Sequence, residues 1–303
     1  MMSKINKITF GNGFTWYDFL DNSPDVISYL RKNFSFSNLD LKNVASPIQR
    51  PRLDANPDYL FMILLFPVFL RKERIIVPSE VDFFLGSDYL ITVHQNELPP
   101  LRESFNHFKN EIDKPVSLMQ IAGHIFESLS DYCMPILDHI AWDIDALDKK
   151  LLSDMEESII KDILKIKRNI VGFRKSVQGL KTVYQELEGA LKSFSYVSSR
   201  RPLERTIEHT KVIWEVLENH RETIDALQTT NESLLSFRLN SIIKTLTIMS
   251  FVIFPLNLLA GIFSMNTIVT PLVNAENGFW IIVGVMLVST CIMFLFFKIK
   301  KWL

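Results

Sequence analysis

The residues of this chain that are spaced to act together lie near its C-terminus. Asn240, Ile243, Thr247, Ser250, Phe254, Asn257, Gly261 and Ser264 follow one another in alternating steps of three and four. That spacing keeps them on one seam of a helix. Six of the eight are polar or small, while the other faces carry Ile248, Met249, Phe251, Val252, Ile253, Leu256, Leu258, Leu259, Ile262 and Phe263. A polar group facing hydrocarbon is costly, so the seam must face protein or water. Two readings fit the pattern equally. One is a small-residue contact between helices. The other is a pore wall, made when several copies set this seam around one axis. Pro255 removes one backbone hydrogen bond within the stretch and can bend it.

A second candidate is the acidic run Asp143, Asp145, Asp148, Asp154, Glu156 and Glu157. The plain reading is a solvated helix face, and the alternative is a surface that senses divalent cations through oxygen ligands. The histidines, His94, His107, His124, His139, His209 and His220, form no ligand pair of the H-E-x-x-H type and read as structural or surface residues. Gly11-Asn12-Gly13 lacks the following Gly-Lys-Ser/Thr of a phosphate loop, and there is no Gly-x-Ser-x-Gly elbow. The reading is therefore of a protein that is not an enzyme and needs no cofactor.

The elements that position the seam can be read from hydropathy. Thr245 to Met265 is 21 residues without a charge, and Phe279 to Phe297 is 19. At about 1.5 Å per residue either run can cross a hydrocarbon core of about 30 Å. The 13 residues between them hold one acid, Glu276, and no Lys or Arg. The outer flanks are basic, with Arg238 and Lys244 before the first run and Lys298, Lys300 and Lys301 after the second. The positive-inside bias puts both flanks, and both chain ends, in the cytoplasm. Trp280 and Trp302 sit as interfacial anchors. Met1 to Gly13 contains no apolar core of signal-peptide length. The expectation is a multi-pass protein of the plasma or inner membrane, with the lipid bilayer as a partner. A net charge of −1 gives no pointer to nucleic acid. The two cysteines, Cys133 and Cys291, are not expected to pair, since Cys291 lies in an apolar run.

Upstream, no Pro or Gly interrupts the chain between Pro202 and Pro255, and Ile213, Leu217, Ile224, Leu227 and Leu234 recur on one seam. One helix of about sixty residues is predicted, close to 90 Å long. A helix of that length must lie against partners or copies of itself. Phe126 to Tyr196 reads as two further helices. Before it, Tyr59–Phe66, Arg74–Val77, Val81–Leu85 and Tyr89–Val93 read as strands, with Gly86-Ser87-Asp88 as a turn. Asp25–Asn33 and Pro99–Lys109 read as helices. The fold class is an α+β membrane protein. Its expected organisation is an α/β cytoplasmic domain over 1–125, a helical stalk over 126–240, a first span over 241–265 continuous with the stalk, an outer loop over 266–278, a second span over 279–297 and a basic tail over 298–303.

The chain resembles the CorA family of magnesium and divalent metal transporters. The family's hallmark is Gly-Met-Asn at the outer end of the first of two C-terminal spans, near an Ala-Gly-Ile. This chain has Ala260-Gly-Ile-Phe-Ser264-Met-Asn266 there, and ends in Phe297-Lys-Ile-Lys-Lys-Trp-Leu303. Pro47-Ile-Gln-Arg-Pro-Arg52, Asp58-Tyr-Leu-Phe61 and Phe83-Phe-Leu-Gly-Ser-Asp-Tyr-Leu-Ile-Thr92 are similar to the family's early strand region.

The resemblance implies a homopentamer whose first spans line a pore for divalent cations. Mg²⁺ is the first expectation for the transported ion. The alternatives are Co²⁺, Ni²⁺ or Zn²⁺, with or without proton coupling, and a non-conducting homologue that serves as a membrane scaffold or sensor. By the same resemblance Asn266, with Ser264 and Met265, forms the pore mouth, where a ring of asparagines holds a hydrated cation. Phe254 is a hydrophobic constriction, Asn257 and Asn240 are polar rings, and Leu246 is pore-lining. Lys298, Lys300 and Lys301 form a basic collar. The motif departs from the family at Ser264, which stands where glycine is usual. Glu208-His209-Thr210 is similar to a stalk segment, and Arg205 stands three residues before it, where a sensing acid is expected.

Overall fold

A computed structural model describes residues 5–95, 98–153, 158–193, 201–265 and 277–300. The chain divides into two units, Met1–Gln228 and Thr229–Leu303. The first is built on a six-stranded sheet in the order β1-β2-β6-β5-β4-β3. Its strands are β1 (Ile5–Thr9), β2 (Thr15–Phe19), β3 (Arg52–Ala55), β4 (Leu60–Leu70), β5 (Ile75–Leu85) and β6 (Tyr89–His94). The β2–β6 pair is parallel and the others are antiparallel.

The first eight residues of β4 are all buried, as expected of an inner strand covered on both faces. Along β5 the sides alternate. Val81, Phe83 and Leu85 enter the larger core and Phe84 the smaller one. The helices α1 (Pro24–Asn33) and α2 (Asn38–Val44) close the smaller core. The larger core is closed by α3 (Pro99–Lys109), α4 (Leu118–Ser153), α5 (Ser158–Val177) and α6 (Leu180–Ser193).

Two expectations need correction. Arg74–Val77 and Val81–Leu85 are not separate strands, because β5 runs unbroken through Pro78, which faces Pro67 of β4. The prolines are tolerated because the flanking strands stop short of them: β3 pairs only with Leu60 to Ile63, and β6 only with Val81 to Leu85. A missing N–H on the outward side there breaks no ladder bond. The segment expected to hold two helices holds three, since α4 begins at Leu118 and the chain turns again at Gly179 between α5 and α6.

The helix α5 is fixed to β5 by Asn169. Its Oδ1 accepts from the Ile76 amide at 3.0 Å, and its Nδ2 donates to the Arg74 carbonyl at 3.3 Å. The approach is close enough that a Cβ on Gly172 would lie 2.6 Å from the Ile76 carbonyl oxygen. Glycine is therefore required at that contact.

A single helix, α7, runs from Arg201 to Ser264, 64 residues, about 95 Å at the usual rise. In its first half Leu203, Thr206, Thr210, Ile213, Leu217 and Ile224 are buried, a stripe with the heptad-like spacing read from the sequence. Ion pairs flank the stripe. Arg205 meets Glu127 of α4 at 3.0 Å, and Arg174 and Lys167 of α5 meet Glu218 and Asp225 at 2.7 and 2.6 Å. The second unit holds the rest of α7 and α8 (Gly278–Ile299). Each contains a stretch long and apolar enough to cross a membrane.

Candidate pore-lining face

In the second unit the half-buried side chains of α7 include Ile248, Val252, Pro255, Leu256, Leu259 and Phe263. Phe251 meets Phe297 of α8 ring to ring, with centroids 6.4 Å apart. An apolar groove of about 360 Å³ lies between Phe251 and Pro255 on one helix and Ile292, Met293, Phe296 and Phe297 on the other. The polar seam lies elsewhere on α7. At about 100° per residue it points roughly opposite to the half-buried stripe. Asn240, Ile243, Phe254, Asn257, Gly261 and Ser264 are exposed on the single chain, Phe254 by 70%. Leu246 is also exposed, and Thr247 and Ser250 are half-buried. A Cβ on Gly261 would meet no atom of the described residues within 4 Å, so packing among them does not explain the glycine.

The hydroxyls and the amide on this face differ in their hydrogen bonds. Thr247 Oγ1 donates to the Ile243 carbonyl at 2.7 Å, and Ser250 Oγ to the Leu246 carbonyl at 2.9 Å. Ser264 Oγ donates to the Gly261 carbonyl at 2.9 Å. Such back-bonding satisfies a hydroxyl's proton inside its own helix. Its oxygen lone pairs stay available to water or an ion. Asn257 has no such bond among the described residues. A carboxamide with two donors and an acceptor must then find partners beyond the described residues, such as water, an ion's shell or another subunit.

Of the other expected site residues, Met265 closes α7 through a backbone bond to Ile262, and Lys298 and Lys300 are exposed at the end of α8. Asn266 and Lys301 lie outside the described residues, as do Asp154, Glu156 and Glu157 of the acidic run. Asp143 in that run pairs with Arg74 at 3.4 Å. Nearby, Asp162 pairs with Lys150 at 3.1 Å. No group of three or more His, Cys, Asp or Glu suited to a metal occurs among the described residues. At the expected sensing position Arg205 is tied to Glu127, and one turn later His209 Nδ1 lies 3.4 Å from Asp131 of the same helix α4. Cys133 is buried, Cys291 exposed, and neither forms a disulfide.

The sequence reading missed a polar cavity in the first unit. Asp82 and Glu80 alternate with apolar residues on β5, and both line a cavity of about 30 Å³ together with Asn22, Ser46, Val93 and His94. Two acids at i and i+2 in an apolar strand were a signal that could have found it. His94 itself is buried, with Nε2 3.3 Å from Asp18 Oδ1, an oxygen that accepts a hydrogen bond from Thr92 Oγ1 at 2.7 Å.

Comparison with known proteins places this architecture. The cobalt/magnesium transport protein CorA of Thermotoga maritima is 25% identical over 293 residues, 95% of this chain and 83% of that protein. The cobalt/magnesium transport protein CorA of Methanocaldococcus jannaschii is 22% identical over 304 residues, 99% of this chain and 95% of its own. The complete structure of the Methanocaldococcus jannaschii CorA magnesium transporter superposes with a TM-score of 0.84 at 22% identity, over 96% of this chain and 92% of that one. The family described as CorA-like Mg²⁺ transporter protein matches residues 11–300, and the chain belongs to that family.

Proposed function

We propose that this protein passes divalent cations, Mg²⁺ foremost, down their electrochemical gradient through a homopentameric pore lined by α7. The observation that carries the reading is the position of the polar seam, roughly opposite the half-buried apolar stripe of α7, with six of its eight residues exposed on the single chain. In hydrocarbon that face is unstable unless copies of itself or water cover it. Rings of Asn240, Asn257 and Asn266 would offer amide oxygens to a hydrated ion. Mg²⁺ gives up its water reluctantly, so recognition through the water shell is the economical arrangement. Phe254 would form the apolar constriction between the polar rings, and Lys298, Lys300 and Lys301 a basic collar at the cytoplasmic exit. The membrane potential supplies roughly 4.6 kcal/mol for two charges at 100 mV, so the mechanism needs no nucleotide. Both chain ends lie in the cytoplasm in this reading. The absence of Cys and His from the seam argues against a transition-metal preference.

The test is Mg²⁺ entry into dye-loaded liposomes at a fixed potential, with Co²⁺, Ni²⁺ and Zn²⁺ run alongside. Mg²⁺ flux that falls on Asn266→Ala supports the reading. Absence of flux in the native chain, restored by Ser264→Gly, would instead identify a non-conducting homologue.

A further inference from the structure

We propose that Glu80 and Asp82, with the side-chain oxygens of Asn22 and Ser46, form a binding site for one divalent cation of the hard, oxygen-seeking class inside the N-terminal unit of each chain. Asp82 lies on β5 opposite Val93 of β6 and Ile63 of β4, and it is only 3% exposed. Its Oδ1 has no hydrogen-bond partner among the described residues. A buried carboxylate left in this state is costly unless a cation or a proton completes it.

The surroundings favour a cation. Glu80 shares the face of Asp82, and its Oε2 accepts from the Gln49 amide, which leaves its other oxygen for a ligand. Asn22 Nδ2 donates to the Val44 carbonyl at 2.9 Å, so its carbonyl oxygen is the end not used there. Ser46 Oγ donates to the Lys42 carbonyl at 2.7 Å and keeps its lone pairs. The nearby guanidinium of Arg52 is already engaged, by Asp54 at 2.9 Å and by Gln49 at 3.0 Å. Burial pushes the pKa of both acids up, and the Glu80 charge raises that of Asp82 further, while the Arg52 charge lowers both. A proton relieves only one of the two acids. A divalent ion neutralises both, and one or two carboxylates completed by neutral oxygens and water is an ordinary donor set for such ions. A cavity of about 30 Å³ has room for an ion, since a water needs only about 10–15 Å³ of such space.

The site lies within one subunit and uses none of the seam residues, so its test is independent of transport. Mn²⁺ serves as the probe, counted by electron paramagnetic resonance on the purified full-length chain at pH 7.5 in 150 mM KCl. The native chain is expected to bind one more Mn²⁺ than Asp82→Asn, and Glu80→Gln is expected to weaken that ion at least tenfold. Mn²⁺ should raise the unfolding temperature of the native chain and leave that of Asp82→Asn unmoved. Ser46→Ala, a milder change at the rim, should lower the affinity without changing the metal-free melt, which keeps the test open if Asp82→Asn folds poorly. Equal Mn²⁺ counts and equal thermal shifts in the native chain and all three variants would overturn the assignment.

Discussion

Asn257→Leu isolates the role proposed for the seam. The side chain makes no hydrogen bond to the described residues of its own chain and sits on the exposed face of α7. Its removal therefore costs the hairpin little, within about 0.5 kcal/mol, the usual range for a substitution away from packed or bonded features. Leucine also suits a membrane helix. If five copies form a polar ring around an ion's water shell, each lost amide removes a hydrogen bond with a net worth of at least about 0.5 kcal/mol. Over a pentamer that is about 2.5 kcal/mol in the barrier to passage, or roughly seventyfold in rate. The assay is initial Mg²⁺ entry into liposomes holding equal amounts of native and variant protein, with thermal melts on the same samples. The expected result is a melt that hardly moves and a flux that falls by more than tenfold. Native flux in the variant would refute the claim that this face lines the pathway. Loss of flux together with loss of the fold would show that Asn257 bonds between subunits.

Three further outcomes follow. Phe254→Ala should widen the proposed constriction and raise ion entry several-fold, most for the larger cations, as measured in the same liposomes. Asn169→Ala removes both bonds that fix α5 to β5 and leaves the Ile76 N–H buried without a partner, so it should destabilise the N-terminal unit by about 2–4 kcal/mol, measured by denaturant unfolding. Burial holds the pKa of His220 below the ordinary histidine value, although a backbone bond to Leu137 and the charges of Asp138 and Asp145 pull the other way. An unfolded chain then takes up the proton first as pH falls through about 6.5. Stability should fall between pH 7.5 and 5.5, and the slope should be shallower in His220→Gln. An identical slope in the two proteins would remove His220 from the account.

How much was legible depended on the length of the pattern. The two apolar runs, the long helical stretch without proline between Pro202 and Pro255 and the stripe from Ile213 to Ile224 are sustained repeats, and long repeats survive any tertiary arrangement. Short elements did not announce themselves. The strands Ile5–Thr9, Thr15–Phe19 and Arg52–Ala55 and the helix Asn38–Val44 were passed over because four to seven residues carry too little periodicity. Pro78 reads as a strand breaker until its position beyond the last β6 pair is known.

The sequence by itself determined which residues of α7 share a seam and that the stretch carrying them is long and apolar enough to cross a membrane, because a helical period and a transfer cost need no neighbours to be defined. Tertiary structure decided what each face meets. It gave Arg205 to Glu127 of α4, tying the position of the expected sensing acid into an ion pair within the chain. It left the seam roughly opposite the half-buried stripe and the Asn257 amide without a bond among the described residues. It also carried Asp82 into a cavity with Glu80, Asn22 and Ser46. Glu80 and Asp82 share one strand, and their spacing is a local pattern, but Asn22 and Ser46 come to them from two separate loops, and no local pattern records that approach.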